Sequence, residues 1–547
     1  MESIQFEVSA KTARLIGREN ISGVDGAIIE LVKNSYDADA TCVCVIFNMP
    51  FPSVPAIISS SLANSLFSQL EKTVLFKYYD LDQKSSYLKK RTGIEDTNEL
   101  VDLLQSKNTI VVSDNGHGMN KKTLTTAWMN IGTNDKEINR LSPKGRIKTG
   151  AKGIGRFALD KLSKQTRAIT KSADDSLLRW SIDWQQFEQA LLLNEVSAFL
   201  ETSNTSYLND AIEYIPNFST QYASYTWETG TTIVLSPTRE PWDTNLFSKV
   251  NNSLRSIYPS YNKKDDIFDV YVQNRYFPSY SYKNEELILS EKDYDYKIDA
   301  EFDGVKNLKI KLVRNEVNIT KTSTKIGAGT TNEKTVPLDE FWKREAFQSD
   351  EYRRIQYEGT RELNIDLTND SVDATALAQL GRFTFQLYFL KTTKNPLDII
   401  KPVNSTKRKS ILAKHSGVKL YRDGFKVRPY GDSGSLFDWL KLGERAMRSP
   451  ASIGHTSGAW RVLPYQILGL VNITRTENPY LVDMANRESL AQNDCYDLFV
   501  NIITSAISRF EFDRQYFFRE FSKWSEVKEQ EISKSAEIIA NKKKNRE

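Results

Sequence analysis

Cysteine and histidine are scarce in this 547-residue chain, with three of each. Three cysteines cannot build a disulfide framework, which fits a reducing compartment. Cys42 and Cys44 alternate on an expected strand and share a face. No further Cys and no nearby His completes a metal site there, so two buried small side chains are expected. No apolar run approaches the length of a membrane span. The N-terminus has neither the basic nor the apolar segment of a secretion signal. A cytoplasmic location without membrane contact is therefore expected. Net charge is only +4, so no global field points to nucleic acid, and a case for it must rest on local patches. Internal repeats, zinc fingers, helix-turn-helix patterns and nuclease motifs are all missing.

What is present describes a globular chain: 39% hydrophobic and 26% charged residues, enough for roughly two to four domains. The fold class expected is α+β, with an α/β domain over 1–244, a second α/β domain over 245–496 and a helical tail over 497–547. In the first domain an amphipathic helix over about 24–39 precedes a strand at 41–47, and a polar, helix-leaning stretch covers 52–107. The strand Thr109–Ser113 leads into a turn at Asp114, a helix follows at 121–131, and 132–156 reads as a Gly-, Lys- and Arg-rich loop. A helix over 155–163 and strands near 165–171, 176–183 and 231–236 complete the pattern. In the second domain 383–390 alternates like a strand, 418–428 reads as a hairpin around Asp423-Gly424, and 465–473 is another strand. Residues 321–350 read as polar and irregular, and 401–414 as a basic loop.

Four local patterns carry chemistry. Glu30 and Asn34 stand one helical turn apart, on one face of the predicted helix. A carboxylate can take a proton from water, and an amide oxygen can ligate Mg²⁺, so one rigid element offers two needs of phosphoanhydride hydrolysis. Asp114 ends an apolar strand in Asp114-Asn-Gly116-His-Gly118-Met119, where a buried carboxylate can accept from an exocyclic amine and the glycines permit positive φ. Gly150, Gly153 and Gly155 fall within six positions and run into a helix, a place where backbone N–H groups cradle phosphates. From Arg140 to Arg156 there are six basic residues (Arg140, Lys144, Arg146, Lys148, Lys152, Arg156) and no acid, which suits a lid over a triphosphate. Gly230-Thr231 places a hydroxyl at a strand start. Each pattern alone has an ordinary explanation in a solvated helix face, a turn or a loop.

Taken in this order, the four patterns resemble the Bergerat-type ATP site of the GHKL superfamily, which includes DNA gyrase B, heat-shock chaperones, histidine kinases and MutL. The resemblance covers about residues 10–240. It implies an ATPase domain that uses ATP and Mg²⁺. Glu30 would be the general base, Asn34 the Mg²⁺ ligand and Asp114 the adenine partner, with Thr231 bridging to it through water. Gly116, Gly118 and Met119 would line the base pocket. Lys152, Gly153 and Gly155 would face the phosphates within a lid over 132–156. Asn115 and Asn130 stay open as further contributors. Met484-Ala-Asn-Arg487-Glu-Ser-Leu-Ala-Gln492 is similar to the middle-domain loop of the heat-shock chaperones, which implies that Arg487 senses the γ-phosphate. The second domain would then be transducer-like, with Lys391, Lys394 or Lys401 as the transducer lysine.

Within the superfamily, a sensor kinase needs a phosphoacceptor His on a dimerising hairpin. His117 lies in the nucleotide turn, and His415 and His455 lie in downstream loop-like sequence, which argues against a kinase. The layout is similar to chaperone, MORC and MutL members and implies an ATP-dependent homodimer, with 6–18 as either a swapped strap or simply a first strand and helix. The partner implied is DNA or protein. Lys407, Arg408 and Lys409, with Lys542–Lys544, are the local basic patches. Bacterial defence ATPases offer an analogy of role only. A nucleotide-sensing module with negligible turnover is the alternative, against which the presence of Glu30 argues.

Overall fold

Helix α2 (Gly23–Asp37) and strand β1 (Cys42–Asn48) form where the apolar spacing predicts them. Val24, Ala27, Ile28, Leu31, Val32 and Ser35 recur at helical spacing and are buried. Asp39 takes φ 59°, a left-handed conformation that Asp tolerates, and this reverses the chain from α2 into β1. The computed structural model describes residues 7–544 apart from 20, 22, 83–85, 133–138, 150–154, 216, 258–266, 285–286, 319, 326–332, 350–351, 353–359, 371, 394–398, 433–436, 456 and 485–488. The chain forms two compact units, Met1–Glu286 and Leu287–Glu547.

The first unit is built on an eight-stranded sheet of order β11-β10-β1-β5-β9-β6-β7-β8. Its other strands are β5 (Thr109–Asp114), β6 (Gln165–Lys171), β7 (Leu177–Asp183), β8 (Phe199–Ser203), β9 (Gly230–Leu235), β10 (Asp269–Asn274) and β11 (Tyr282–Lys283). Both faces are covered, and β1 shows it. Cys42, Cys44 and Ile46 join a core with Tyr207, Tyr222 and Trp227 on one side. Phe47 meets Trp242 and Phe247 on the other, at ring-centroid distances of 4.8 and 5.7 Å. The cysteines are core side chains, as their alternation suggests. Helix α1 (Ala10–Glu19) packs ahead of α2, and Ser9 bridges Leu192 of the same chain.

Three expectations for this unit change. The sequence ends the domain at 244, but β10 pairs in parallel with β1 and β11 pairs with β10, so the unit extends to 286. The helix-leaning stretch 52–107 contains a three-stranded sheet as well as helices. There β2 (Ile57–Ser59), β4 (Tyr87–Lys90) and β3 (Tyr79–Asp82) pair in the order β2-β4-β3 over their own small core of Phe51, Ile58, Phe67, Leu75, Tyr79 and Leu100. The 121–131 helix is a single α-turn, Lys121–Thr123, followed by a π-helical segment, Leu124–Trp128.

The second unit carries a seven-stranded sheet of order β16-β13-β12-β17-β20-β18-β19. Its strands are β12 (Tyr296–Phe302), β13 (Asn307–Arg314), β16 (Thr360–Asp366), β17 (Phe383–Phe389), β18 (Gly417–Arg422), β19 (Phe425–Val427) and β20 (Ile467–Ile473). The Asp423-Gly424 hairpin is present, with φ 51° and 86° at its two central residues, the pattern of a tight turn between twisted strands. Residues 321–350 are more regular than expected. They hold a hairpin of β14 (Lys321–Lys325) and β15 (Glu333–Pro337), then a short helix, Asp339–Trp342. The segment read as a separate tail is helix Asp494–Lys544, and one face of its first thirty or so residues is core. Phe499, Ile503, Ile507 and Phe510 pack under the seven-stranded sheet, and Phe517, Phe521 and Trp524 pack with Phe341 and Trp342.

The basic loop at 401–414 is instead mostly helix, Ser405–His415, capped by the Asn404 side chain. Arg408 is buried and donates to Asp295 Oδ2 at 2.6 Å and to the carbonyls of Lys391 and Lys292. Lys407 pairs with Asp293 at 2.6 Å. The charge run therefore holds the second unit together in part, rather than standing free for phosphates. Removing one partner of a buried pair leaves the other charge uncompensated. Arg408→Ala is accordingly expected to lower the unfolding free energy of this unit by about 3–5 kcal/mol in urea titration, while Lys409→Ala, which truncates an exposed side chain, leaves it unchanged.

Candidate functional site

Asp114 closes β5 with its carboxylate buried. Oδ1 accepts from Gly116 N at 2.9 Å and Thr231 N at 3.3 Å, and Oδ2 accepts from Ser35 Oγ at 2.9 Å. Desolvation raises its pKa above the ordinary carboxylate value, opposed by these three hydrogen bonds. Thr231 Oγ1 lies 3.0 Å from Thr170 Oγ1, which also accepts from Met119 N at 2.8 Å. Asp114, Met119 and Thr231 thus belong to one connected network. Ser35 and Thr170 complete it and were missed from sequence. Their signal was a polar residue at a buried position, Ser35 one turn after Leu31 and Thr170 two after Ala168.

The glycines of this turn answer to neighbouring backbone. A Cβ at Gly116 would sit 2.6 Å from the Ala38 carbonyl oxygen, and one at Gly118, with φ +66°, would sit 2.0 Å from that of Lys171. Asn115 is a structural tie. It accepts from the Thr41 and Cys42 amides at 3.0 and 2.8 Å and donates to Thr41 Oγ1 and the Thr226 carbonyl. Asn130 is exposed.

Glu30 and Asn34 stand on the same face of α2. A Cβ built on Gly155 would come 3.9 Å from Glu30 Oε2 and 4.0 Å from Asn34 Nδ2. Gly155 precedes helix Phe157–Leu162, so a base-type carboxylate, an amide and a helix start meet at one place. Glu30 also pairs with Lys33 at 3.6 Å, in a site where both side chains are largely covered. Lys152 and Gly153 lie outside the described residues, as does Arg487.

The described part of the 132–156 segment is tied to the end of α2. Asp37 Oδ1 accepts from Thr149 N at 2.7 Å and Oγ1 at 3.0 Å. Asp39 accepts from Ser142 Oγ and from Lys144 N. Arg146, one of the six basic residues read as a phosphate cover, is buried instead. Its guanidinium donates to the carbonyls of Tyr36, Ala40 and Ile267 and lies 4.4 Å from the Tyr36 ring centroid. Arg156 donates to the Ala127 carbonyl, and burial lowers its pKa to about 10. Arg140 and Lys144 are exposed and Lys148 half-buried. In the second unit, the Lys391 amide donates to Asp295, Lys401 Nζ donates to Asn315, and Lys394 is outside the described residues.

Residues 97–212 match the family model described as histidine kinase-, DNA gyrase B-, and HSP90-like ATPase. The first unit carries a GHKL-type ATPase domain. No curated protein matches the chain. The matched segment contains Asp114, Gly116, Gly118, Met119 and Gly155. Glu30, Asn34 and Thr231 lie outside it, on α2 and β9. The donor set fits a nucleotide and a hard cation: a buried carboxylate acceptor, an amide oxygen and a second carboxylate. No helix among the described residues is long and apolar enough to cross a membrane.

The raised pKa of Asp114 has a consequence for stability. An acid whose folded pKa stands above its unfolded value holds its proton more tightly in the fold. Its charge therefore costs stability once the pH passes the unfolded value of about 3.9, and costs it in full above the folded value. Asp114→Asn keeps the shape and removes the charge. Its melting temperature at pH 7.5 is expected to equal or exceed that of the wild type, with the margin narrowing as the pH falls toward 4.

Proposed function

We propose that the chain is a Mg²⁺-dependent ATPase that works as an ATP-gated, dimerising switch on a partner. The observation that carries this reading is the meeting of Glu30, Asn34 and Gly155 beside a GHKL pocket in which Asp114 is held buried. Asp114 would accept from the adenine amine, with Thr231 and Met119 beside it. The phosphates would lie toward Gly155 and, by resemblance, Lys152 and Gly153. Asn34 would hold Mg²⁺, which neutralises phosphate charge. Glu30 would take the proton of the attacking water. Arg487 remains the γ-phosphate sensor on the resemblance of 484–492 alone.

A DNA partner has less support than the sequence offered, because Arg408 is buried and Lys407 is paired. A protein partner is the reading kept.

The test is ATP hydrolysis by the purified chain with and without Mg²⁺, beside Glu30→Ala and Asp114→Asn. Glu30→Ala is expected to bind ATP normally and to lose at least about a hundredfold in rate, and Asp114→Asn to lose ATP binding. Equal rates in wild type and Glu30→Ala would remove Glu30 as the base. ATP binding without turnover in the wild type would favour the nucleotide-sensing module.

A further inference from the structure

We infer that the first unit has a second ligand site, on the outer face of α1, that takes a small organic dianion. Lys11, Leu15 and Arg18 fall at i, i+4 and i+7, one face of the helix. They border an open cavity of about 560 Å³ that Arg14, Glu19, Ile21, Lys161 and Glu188 also line. The inference does not depend on the ATPase reading.

The charge balance of the wall points to the ligand. Two of its three acids, Asp160 and Glu188, are engaged, and Glu19 is exposed. Asp160, fully buried behind the cavity, accepts from Arg14 Nε at 2.7 Å and Nη2 at 3.1 Å, and from Arg239 Nη2 at 2.7 Å. Glu188 accepts from Arg14 Nη1 at 2.6 Å. Lys161 donates to the Ile21 carbonyl. Two cations are less engaged. Among the described residues Lys11 makes no ion pair, and Arg18 pairs with Asp160 only at 3.8 Å, with its side chain 40% exposed. With Asp160 and Arg239 behind the wall included, the five cations Lys11, Arg14, Arg18, Lys161 and Arg239 stand against the three acids Glu19, Glu188 and Asp160, a surplus of two positive charges. Between Lys11 and Arg18, Leu15 is 57% exposed, an apolar surface suited to the carbon skeleton of a ligand rather than to a bare ion. A partly enclosed site with surplus cations and an apolar wall binds organic anions because the charges are only partly screened there. Phosphate monoesters and dicarboxylates share this chemistry.

Calorimetric titration of phenyl phosphate and of succinate into the full chain tests the site. One equivalent of at least one probe is expected to bind the wild type. Lys11→Gln/Arg18→Gln is expected to weaken binding at least tenfold with an unchanged circular dichroism spectrum, and Arg18→Gln alone to weaken it less. Asp114→Asn, which alters the nucleotide pocket, is expected to bind the probe as the wild type does. A preference for phenyl phosphate assigns the site to phosphate monoesters and a preference for succinate to dicarboxylates. No binding of either probe, unchanged affinity in Lys11→Gln/Arg18→Gln, or loss of binding in Asp114→Asn overturns the inference.

Discussion

A buried carboxylate at the end of a strand organises the first unit. Asp114 takes one hydrogen bond from α2 through Ser35, one from its own turn through Gly116 and one from β9 through Thr231. These three donors come from segments far apart in sequence, so the charge fixes where helix, turn and strand meet. The backbone behind it is fixed as well. Tyr207 OH donates to the Asp114 carbonyl at 2.7 Å and shares Thr232 Oγ1 with Ser113. A carboxylate placed where burial disfavours its charge is a stability cost, and such costs collect where a protein needs an acceptor of fixed direction.

The same helix organises the opposite end of the site. Glu30 and Asn34 occupy the middle of α2, and its C-terminal end supplies Asp37 and Asp39 to Thr149, Ser142 and Lys144. Arg146 returns from that segment and stacks on Tyr36 while donating to three carbonyls. Asp37-Ala-Asp39-Ala thus acts as the seat of the segment that ends at Gly155. One rigid element sets the base-type carboxylate, the amide and the anchor of the glycine-rich loop, and relative placement within a few tenths of an ångström matters most in such a site.

Much of this was legible where a period or a turn carried it. Glu30 and Asn34 follow from helical spacing, Asp114 from a strand ending in a glycine turn, and Asp423-Gly424 from a hairpin signal. What was not legible depended on long-range pairing or on the surroundings of a charge. The parallel partner of β1 lies far along the chain at Asp269–Asn274, and no local pattern names it. Arg146 read as part of a phosphate cover and Arg408 as part of a basic patch, because a charge run says nothing of the aromatic face or carboxylate it will meet. The sheet inside 52–107 was hidden because its strands run only three or four residues, too short for alternation to outweigh the neighbouring helical spacing.

The long C-terminal helix shows why such buried charges are worth their desolvation. Its apolar stripe of Phe and Ile residues repeats along the helix, and its buried charges do not. Glu511 accepts from Arg445 and Arg461 at 2.7 and 2.6 Å and from the Val462 amide at 3.0 Å. Asp513 accepts from Arg314 and Arg361, and Arg514 donates twice to Glu316 at 2.6 Å. Arg514 also lies 4.3 Å from the Trp460 ring centroid and 4.7 Å from that of Phe389, a cation–π contact that offsets part of its burial. A slip by one helical turn would leave Glu511, Asp513 and Arg514 buried without partners, at several kcal/mol each. The aromatic face drives docking of the helix, and the three ionic residues decide its register.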